Sequence, residues 1–232
     1  MKKYVCSLLT LAFIATVAIN AGAQTVARNV SGYTGIECNG PFSISIKIDG
    51  TEGVKLDVDA NILDDVKTEV ENGVLKVGFK SRWKNHGNIQ RANIYITAKS
   101  LSYLTNGGSG NVVLDGTIAG EHAKVALSGS GNLKASVKSA TLDLGVSGSG
   151  GIYINGSTGM ADIHINGSGG INGKALKTEM VEARISGSGG IDVAVSKTIS
   201  ARISGSGSIR YSGDATIADT HYSGSGRVSK VD

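Results

Sequence analysis

Apolar and polar residues alternate through most of the chain, and from residue 106 onward the alternation repeats with a period near twenty. Each repeat carries the tripeptide Gly-Ser-Gly, which occurs seven times. The first glycines of these tripeptides are Gly108, Gly129, Gly148, Gly167, Gly187, Gly205 and Gly224. A repeat of this length is typical of stacked coils, in which each unit buries its apolar side against its neighbours.

The residues around each tripeptide predict two short strands joined by a corner. Residues two and four positions before the first glycine are mostly apolar, as in Val125 and Leu127, and the residue four positions after it is always aliphatic, as in Leu133. A period of two indicates a strand with one buried face. Glycine suits the corner, because it adopts positive φ and leaves room for the next coil. We therefore expect the seven first glycines to form structural corners.

This pattern predicts an all-β fold, a single-stranded right-handed parallel β-helix with coils of about 19 residues. The period is too short for a βαβ unit of about 30 residues or for a propeller blade of roughly 40–45 residues. Charged residues in the outward columns argue against a membrane barrel, whose outer band is apolar. A parallel β-helix is the architecture that remains.

Residues 1–23 have the organisation of a signal peptide. Lys2 and Lys3 precede an apolar run, and small residues lead to a predicted cleavage site after Ala23. We expect the protein to be exported by this segment to the periplasm, the outer-membrane surface or the medium. No later run is long and apolar enough for a membrane helix, so no transmembrane segment is expected in the mature chain.

The mature chain is expected to be one continuous domain. Residues 24–105 lack Gly-Ser-Gly but still alternate, for example at Phe42 and Ile44, and an Asn72-Gly73 turn separates two apolar runs. We interpret this part as an N-terminal β cap or a set of irregular coils. Regular repeats then fill residues 106–232.

Composition narrows the function classes. The net charge is +4, and about +2 without Lys2 and Lys3, which is too mild to indicate nucleic-acid binding. Cys38 is the one cysteine of the mature chain, so no internal disulfide is possible and a small buried residue is expected. The glycine spacing departs from the dinucleotide-binding fingerprint and the histidines lack zinc-ligand spacing, so neither a cofactor nor a metal is predicted.

One candidate site consists of charged residues in the outward columns of successive coils. Stacking would bring like charges within one strand spacing, which raises a carboxylate pKa or favours a bound cation. The opposing interpretation is cross-strand charge pairing on a solvated face. A polysaccharide-active enzyme, a lyase or hydrolase, is the alternative function for this Asp/Arg ladder. The residues concerned are Asp143, Asp162, His164, Glu182, Arg184 and Arg202.

A second candidate site is a basic stretch around the single tryptophan of the chain. Arg82 and Lys84 flank Trp83, and an exposed indole beside cations can stack on a sugar ring or hold an anionic glycan. The opposing interpretation is a solvated connection whose indole covers the core.

Short motifs after each corner add a resemblance to a known family. They are Gly-Asn-Val at 110–112, Gly-Asn-Leu at 131–133 and Gly-Gly-Ile at 150–152, 169–171 and 189–191. With these motifs the mature chain resembles the putative auto-transporter adhesin head GIN domain family. The resemblance implies a right-handed β-helix, export from Gram-negative bacteria, chiefly Bacteroidetes, and a role in adhesion, and it supplies no catalytic motif. The predicted function is a non-catalytic exported binding or adhesion module for an extracellular glycan or protein.

Overall fold

The computed structural model describes residues 25–81 and 88–231, and these residues are almost entirely β-strand. A single 3-10 turn, Leu63–Asp65, interrupts the strands within this part of the chain. The strands, in chain order, are β1 (Val26–Arg28), β2 (Gly35–Cys38), β3 (Ser43–Ile48), β4 (Gly53–Val58), β5 (Val66–Glu71), β6 (Val74–Phe79), β7 (Ala92–Ala98), β8 (Tyr103–Asn106), β9 (Asn111–Asp115), β10 (Ile118–Gly129), β11 (Asn132–Gly148), β12 (Gly151–Gly167), β13 (Gly170–Gly187), β14 (Gly190–Gly205), β15 (Ser208–Ser212), β16 (Thr216–Ser223) and β17 (Arg227–Lys230).

The Gly-Ser-Gly repeats form a stack of parallel coils. Strands β11 to β14 each wind through one whole coil, from just after one tripeptide to the first glycine of the next. Equivalent residues lie side by side in neighbouring coils, as Leu133, Ile152 and Ile171 do. Described pairings between neighbouring repeats are all parallel. The prediction of an all-β fold of stacked parallel coils is therefore confirmed.

The core is a set of aliphatic columns that run along the stack. Side chains that alternate inward along each strand are almost completely buried, so the period-two pattern of the sequence corresponds to the inside and outside of the coil. Ile152, Ile163 and Ile165 of one coil are each at most 2% exposed. Because each coil contacts mainly the coils beside it, the core grows with every repeat instead of around one centre.

The corners depend on glycine for two separate reasons. Six first glycines, from Gly129 to Gly224, have φ between 117 and 150°, a region that other L-residues rarely adopt. The corners also stack closely: a Cβ on Gly167 would lie 2.5 Å from the carbonyl oxygen of Gly148. Any side chain at such a corner therefore strains the backbone and collides with the next coil.

The first corner is built differently. Gly108 has no positive φ, but a Cβ there would overlap the backbone of Gly40 in the neighbouring coil. Asn106 occupies the position that is apolar in the later repeats, and it is 2% exposed. Its side-chain amide donates to the Gly110 carbonyl oxygen at 2.9 Å, and its Oδ1 accepts from the Gly108 N–H at 3.2 Å. A buried asparagine thus fastens this corner with hydrogen bonds.

The N-terminal coils are not stacked in sequence order. β2 pairs in parallel with β6 on one side and with β8 on the other, so Ile36 lies between Leu75 and Leu104. β3 lies in the same way between β7 and β9. The coil of β6 and β7 therefore lies outside the coil of β2 and β3, although it follows that coil along the chain.

Antiparallel strands complete the N-terminal end of the stack. β4 pairs antiparallel with β7, β1 with β4, and β5 with β6. The outer strand β5 carries Lys67, Glu69 and Glu71, and Lys67 forms ion pairs with both glutamates. Charged side chains on an outer strand oppose pairing with another chain.

Cys38 lies in this N-terminal core, between Val77 and Asn106 in the stack. The side chain is 1% exposed, as expected for a small buried residue, and burial raises the pKa of its thiol well above the usual range. The described residues form no helix with the length and hydropathy of a membrane span. The predicted signal peptide, residues 1–23, lies outside the described part of the chain.

Candidate functional site

The predicted charged residues do share one face of the stack, which we call the charge ladder. The ladder consists of outward side chains on the strand segment before each corner. One column contains Lys124, Asp143, Asp162, Glu182 and Asp219, and the column two residues along contains His164, Arg184, Arg202 and His221. Parallel register places neighbours in each column one strand spacing apart, about 4.8 Å.

Cations pair with the carboxylates of the charge ladder. Arg184 donates to Asp162 and to Glu182, each at 2.7 Å, so one guanidinium joins two neighbouring carboxylates. Lys124 binds Asp143 at 2.8 Å, and Arg202 lies 3.3 Å from Asp219. Every acidic residue of the ladder therefore has a cationic partner.

This pairing changes the chemistry that the sequence predicts for the ladder. The hydrogen bond from Arg184 to Asp162, with the attraction of that carboxylate, raises the pKa of the guanidinium. The side chains of Asp162, Glu182 and Arg184 are 48, 43 and 44% exposed, so water screens the pairs and each contributes little stability. The arrangement is a solvated network of charge pairs, not an enclosed acid–base site.

His164 lies across the middle of the ladder. Its ring covers Gly145 of the preceding coil so closely that a Cβ on this glycine would overlap it, and its Nδ1 is 3.7 Å from Asp143. A shallow depression of about 310 Å³ continues from His164 past Arg184 to His221. Within residues 25–81 and 88–231, no three side chains from His, Cys, Asp and Glu converge as metal ligands would.

The second predicted site, Arg82, Trp83 and Lys84, lies outside the described residues. The structure instead reveals exposed rings on the strand segment after the corners, in one outward column that we call the tyrosine column. Tyr95, Val113 and Tyr153 in this column are 45, 46 and 52% exposed, and Ser45 and Lys134 lie between them. The period-two pattern places Tyr95 and Tyr153 on the outward face, each between two inward isoleucines, but nothing in that pattern marks an outward ring as a contact.

A groove that sequence reasoning missed lies on the third side of the coils, which is the segment between the strand that follows one corner and the strand that precedes the next. This groove, which we call the hydroxyl groove, has a volume of about 530 Å³ and crosses several coils. Its lining residues are mainly small hydroxyl side chains and lysines: Gly120, Lys138, Ser139, Ser157, Thr158, Gly159, Lys177, Thr178, Glu179 and Ser196.

The groove escaped prediction because the third side absorbs the variation in repeat length. Counted from the first glycine of its repeat, Lys138 is the ninth residue and Lys177 is the tenth, so the two do not share a column in an alignment on glycine. In the structure both pair with Ser157, one from each side. Alignment on the Ser and Thr residues of the third side, with one added residue, would have shown the column.

Comparison with known protein families gives one match that covers most of the solenoid. A sequence model of one family, described as "Putative auto-transporter adhesin, head GIN domain", matches residues 32–215. The chain matches none of the curated proteins with which it was compared.

Several solved structures share the fold over nearly their whole length. A "putative adhesin" from Bacteroides fragilis NCTC 9343 is 23% identical with a TM-score of 0.79, and the alignment covers 90% of this chain and 96% of that protein. A "Putative lipid binding protein" from Parabacteroides distasonis ATCC 8503 is 28% identical with a TM-score of 0.70, and the coverage is 92% and 98%. A "putative adhesin" from Parabacteroides merdae ATCC 43184 is 22% identical with a TM-score of 0.70, again with coverage of 92% and 98%.

Proposed function

The chain belongs to the putative auto-transporter adhesin head GIN domain family, and from this premise we propose that it is a non-catalytic adhesion module. The module is exported by the segment 1–23 and presents the outer faces of its solenoid to an extracellular glycan or protein. Extended repeat surfaces suit polymeric partners, because affinity accumulates over many weak contacts.

The observation that carries this proposal is the pairing within the charge ladder. General acid–base catalysis needs an enclosed site in which a group with a shifted pKa faces the substrate. The acidic residues of the ladder instead bind neighbouring cations in open solvent, as Asp162 binds Arg184. A face of this kind suits binding to a surface, and it lacks the enclosed acid–base site that a polysaccharide lyase or hydrolase needs.

Exposed aromatic rings support a glycan as partner. Tyr153 is 52% exposed and borders a depression of about 250 Å³ that Asn172, Asp192 and Arg210 also line. An aromatic ring can cover the apolar side of a sugar, and amide, carboxylate and guanidinium groups can hydrogen-bond its hydroxyl groups. Arg210 already donates two hydrogen bonds to Asp192, at 2.6 and 2.9 Å, which fixes the orientation of both groups.

The segment Arg82, Trp83 and Lys84 is a further proposed contact, on grounds of composition alone. Tryptophan and arginine are the residues most often found as anchors in interfaces. In an attachment assay on surfaces coated with glycans and matrix proteins, a Trp83→Ala and Arg82→Ala double variant should attach less than the unaltered protein. The matched control is the double variant Tyr222→Ala and Arg227→Ala, which removes another aromatic ring and another cation.

The attachment assay also tests the function as a whole. Cells that produce the protein should attach more strongly to at least one coated surface than cells that lack it. Equal attachment to every surface would contradict the adhesion function. Equal attachment of the Trp83 double variant and the unaltered protein would remove only this segment from the site.

A further inference from the structure

The hydroxyl groove contains two lysines that have no acidic partner among the described residues. Neither Lys138 nor Lys177 has a described carboxylate within 4.0 Å, whereas Lys124, Lys197 and Arg210 are all paired. Glu179 also lines the groove, but Lys197 binds it at 2.6 Å. The groove therefore keeps the positive charge of two lysines.

The two lysines are arranged along the axis of the stack. Lys138 and Lys177 flank Ser157 in one column, so their Cα atoms are about 9.6 Å apart, or two strand spacings of about 4.8 Å. Both side chains are exposed and line the same groove. A linear polymer with repeated negative charges can contact both while it lies along the groove.

Between and beside the lysines, the groove offers hydrogen-bonding groups for a polyhydroxylated ligand. Thr178 is 4% exposed and its hydroxyl donates to the Ala194 carbonyl at 2.7 Å, so its oxygen is left as an acceptor. Thr158 is 5% exposed, and its Oγ1 lies 3.1 Å from the Met160 carbonyl oxygen. Ser157 is exposed, and its hydroxyl has no hydrogen-bond partner among the described residues and can both donate and accept.

We propose that the hydroxyl groove binds an acidic polysaccharide, with Lys138 and Lys177 on its carboxylate or sulfate groups and the serine and threonine oxygens on its hydroxyl groups. The inference rests on the proposed function, since it names the ligand class of the same adhesion module. Nucleic acid fits less well, because the lining residues include no aromatic ring for a base to stack on. An extended peptide fits less well too, because the backbone of these coils is already paired with the coils on either side.

The test is binding of the purified exported protein to polygalacturonate, with neutral dextran and polyglutamate as comparison polymers. The protein should bind polygalacturonate with an affinity that falls as salt rises, and should not bind dextran. A Lys138→Gln and Lys177→Gln double variant should bind about fourfold to 25-fold more weakly, since each exposed contact between a cation and a carboxylate contributes about twofold to fivefold.

The matched control is the double variant Lys47→Gln and Lys230→Gln, which removes the same charge from exposed positions outside the groove and outside the Tyr153 depression. It should keep the affinity of the unaltered protein within about twofold, because long-range effects of exposed charges are screened. An equal loss in both double variants would overturn the inference, because net charge alone would then explain binding. Binding of polyglutamate as tight as that of polygalacturonate, with the same dependence on the lysines, would overturn the ligand class.

Failure of the groove and failure of the adhesion function give different results. If the unaltered protein promotes attachment but binds no acidic polysaccharide, the groove inference is wrong and the adhesion function stands. If the unaltered protein promotes no attachment to any surface, the adhesion function is wrong. Circular dichroism of each variant checks that the coils remain folded.

Discussion

Each corner glycine of the stack lies so close to a backbone carbonyl group of the neighbouring coil that a side chain has no room. At Gly167 the backbone has φ of 121°, and a Cβ would lie 2.5 Å from the Gly148 carbonyl oxygen. Gly170 belongs to the same repeat, but its φ is not positive, and the nearest atom to its Cβ would be the Gly190 carbonyl oxygen at 3.7 Å. Two glycines three positions apart therefore have opposite tolerance for a side chain.

The substitutions Gly167→Ala and Gly170→Ala should have different effects on the free energy of unfolding. Gly167→Ala should lower the free energy of unfolding by about 2–6 kcal/mol, because backbone strain and the collision each cost about 1–3 kcal/mol. Gly170→Ala should be neutral or stabilise the protein by up to about 1 kcal/mol, because alanine restricts the unfolded chain. Urea denaturation of both variants measures the difference, and equal stability would contradict the role of the corner.

The sequence was sufficient to predict the corners but not every reason for them. Repetition of Gly-Ser-Gly indicates a backbone requirement, and six of the seven first glycines have the positive φ that glycine favours. Gly108 does not, and the buried Asn106 beside it looks in the sequence like a lapse in the apolar pattern. Its role as a fastener depends on the positions of Gly108 and Gly110, which no local pattern reveals.

The elements of the cap are held by carboxylates that bind backbone N–H groups across the fold. Glu52 accepts from the N–H groups of Gly32 and Tyr33, at 3.0 and 3.3 Å, and pairs with Lys99 at 2.9 Å. Asp59 accepts from the N–H groups of residues 90 and 91, at 2.7 and 3.1 Å. These contacts connect the segments on either side of β4 to distant parts of the chain.

These carboxylates make the cap sensitive to acid. The hydrogen bond from Lys99, and then those from the backbone, lower the pKa of Glu52 below its ordinary value of 4.5, and backbone hydrogen bonds lower that of Asp59 below 3.8. A lowered folded pKa stabilises the protein above the unfolded value, and this stabilisation is lost as the pH falls through the folded value. The free energy of unfolding should therefore fall once the pH drops below about 4.5.

The double variant Glu52→Gln and Asp59→Asn should reduce this dependence. It should be less stable than the unaltered protein at neutral pH, and the difference should shrink in acid, since the unaltered carboxylates are then protonated as well. Denaturation in urea at a series of pH values measures both effects. The control is Glu121→Gln, which removes an exposed carboxylate with no ion-pair partner among the described residues. An identical pH dependence of the free energy of unfolding in the two variants would contradict the role of Glu52 and Asp59.

The order of the N-terminal elements could not be derived from the sequence. The alternating residues of β2, β3, β6 and β7 predict strands, but each of these strands has an equally apolar inward face. Nothing local specifies that Ile36 lies between Leu75 and Leu104. In the later repeats the period is nearly constant, so coils that follow one another in the sequence also stack side by side. The order of these coils could therefore be predicted from the sequence.

At the scale of the whole molecule, the stack presents three sides with different chemistry. The charge ladder is internally paired, the tyrosine column exposes rings beside polar groups, and the hydroxyl groove keeps two unpaired lysines. Sequence reasoning located the ladder, because its columns align on the corner glycines. The groove is recognisable only in the folded structure, because one added residue shifts Lys177 relative to Lys138 when the repeats are aligned on their corner glycines.

The most direct test of the account is size-exclusion chromatography of polygalacturonate with and without the purified protein, followed by recovery of the polymer in high salt. The central claim is that this solenoid binds a polymer and leaves it intact. The protein should elute with the polymer at low salt, and the recovered polymer should keep its original length distribution. Recovery of shortened polymer would show that the protein is an enzyme, and elution of the protein alone with this and every other polysaccharide tested would contradict glycan binding.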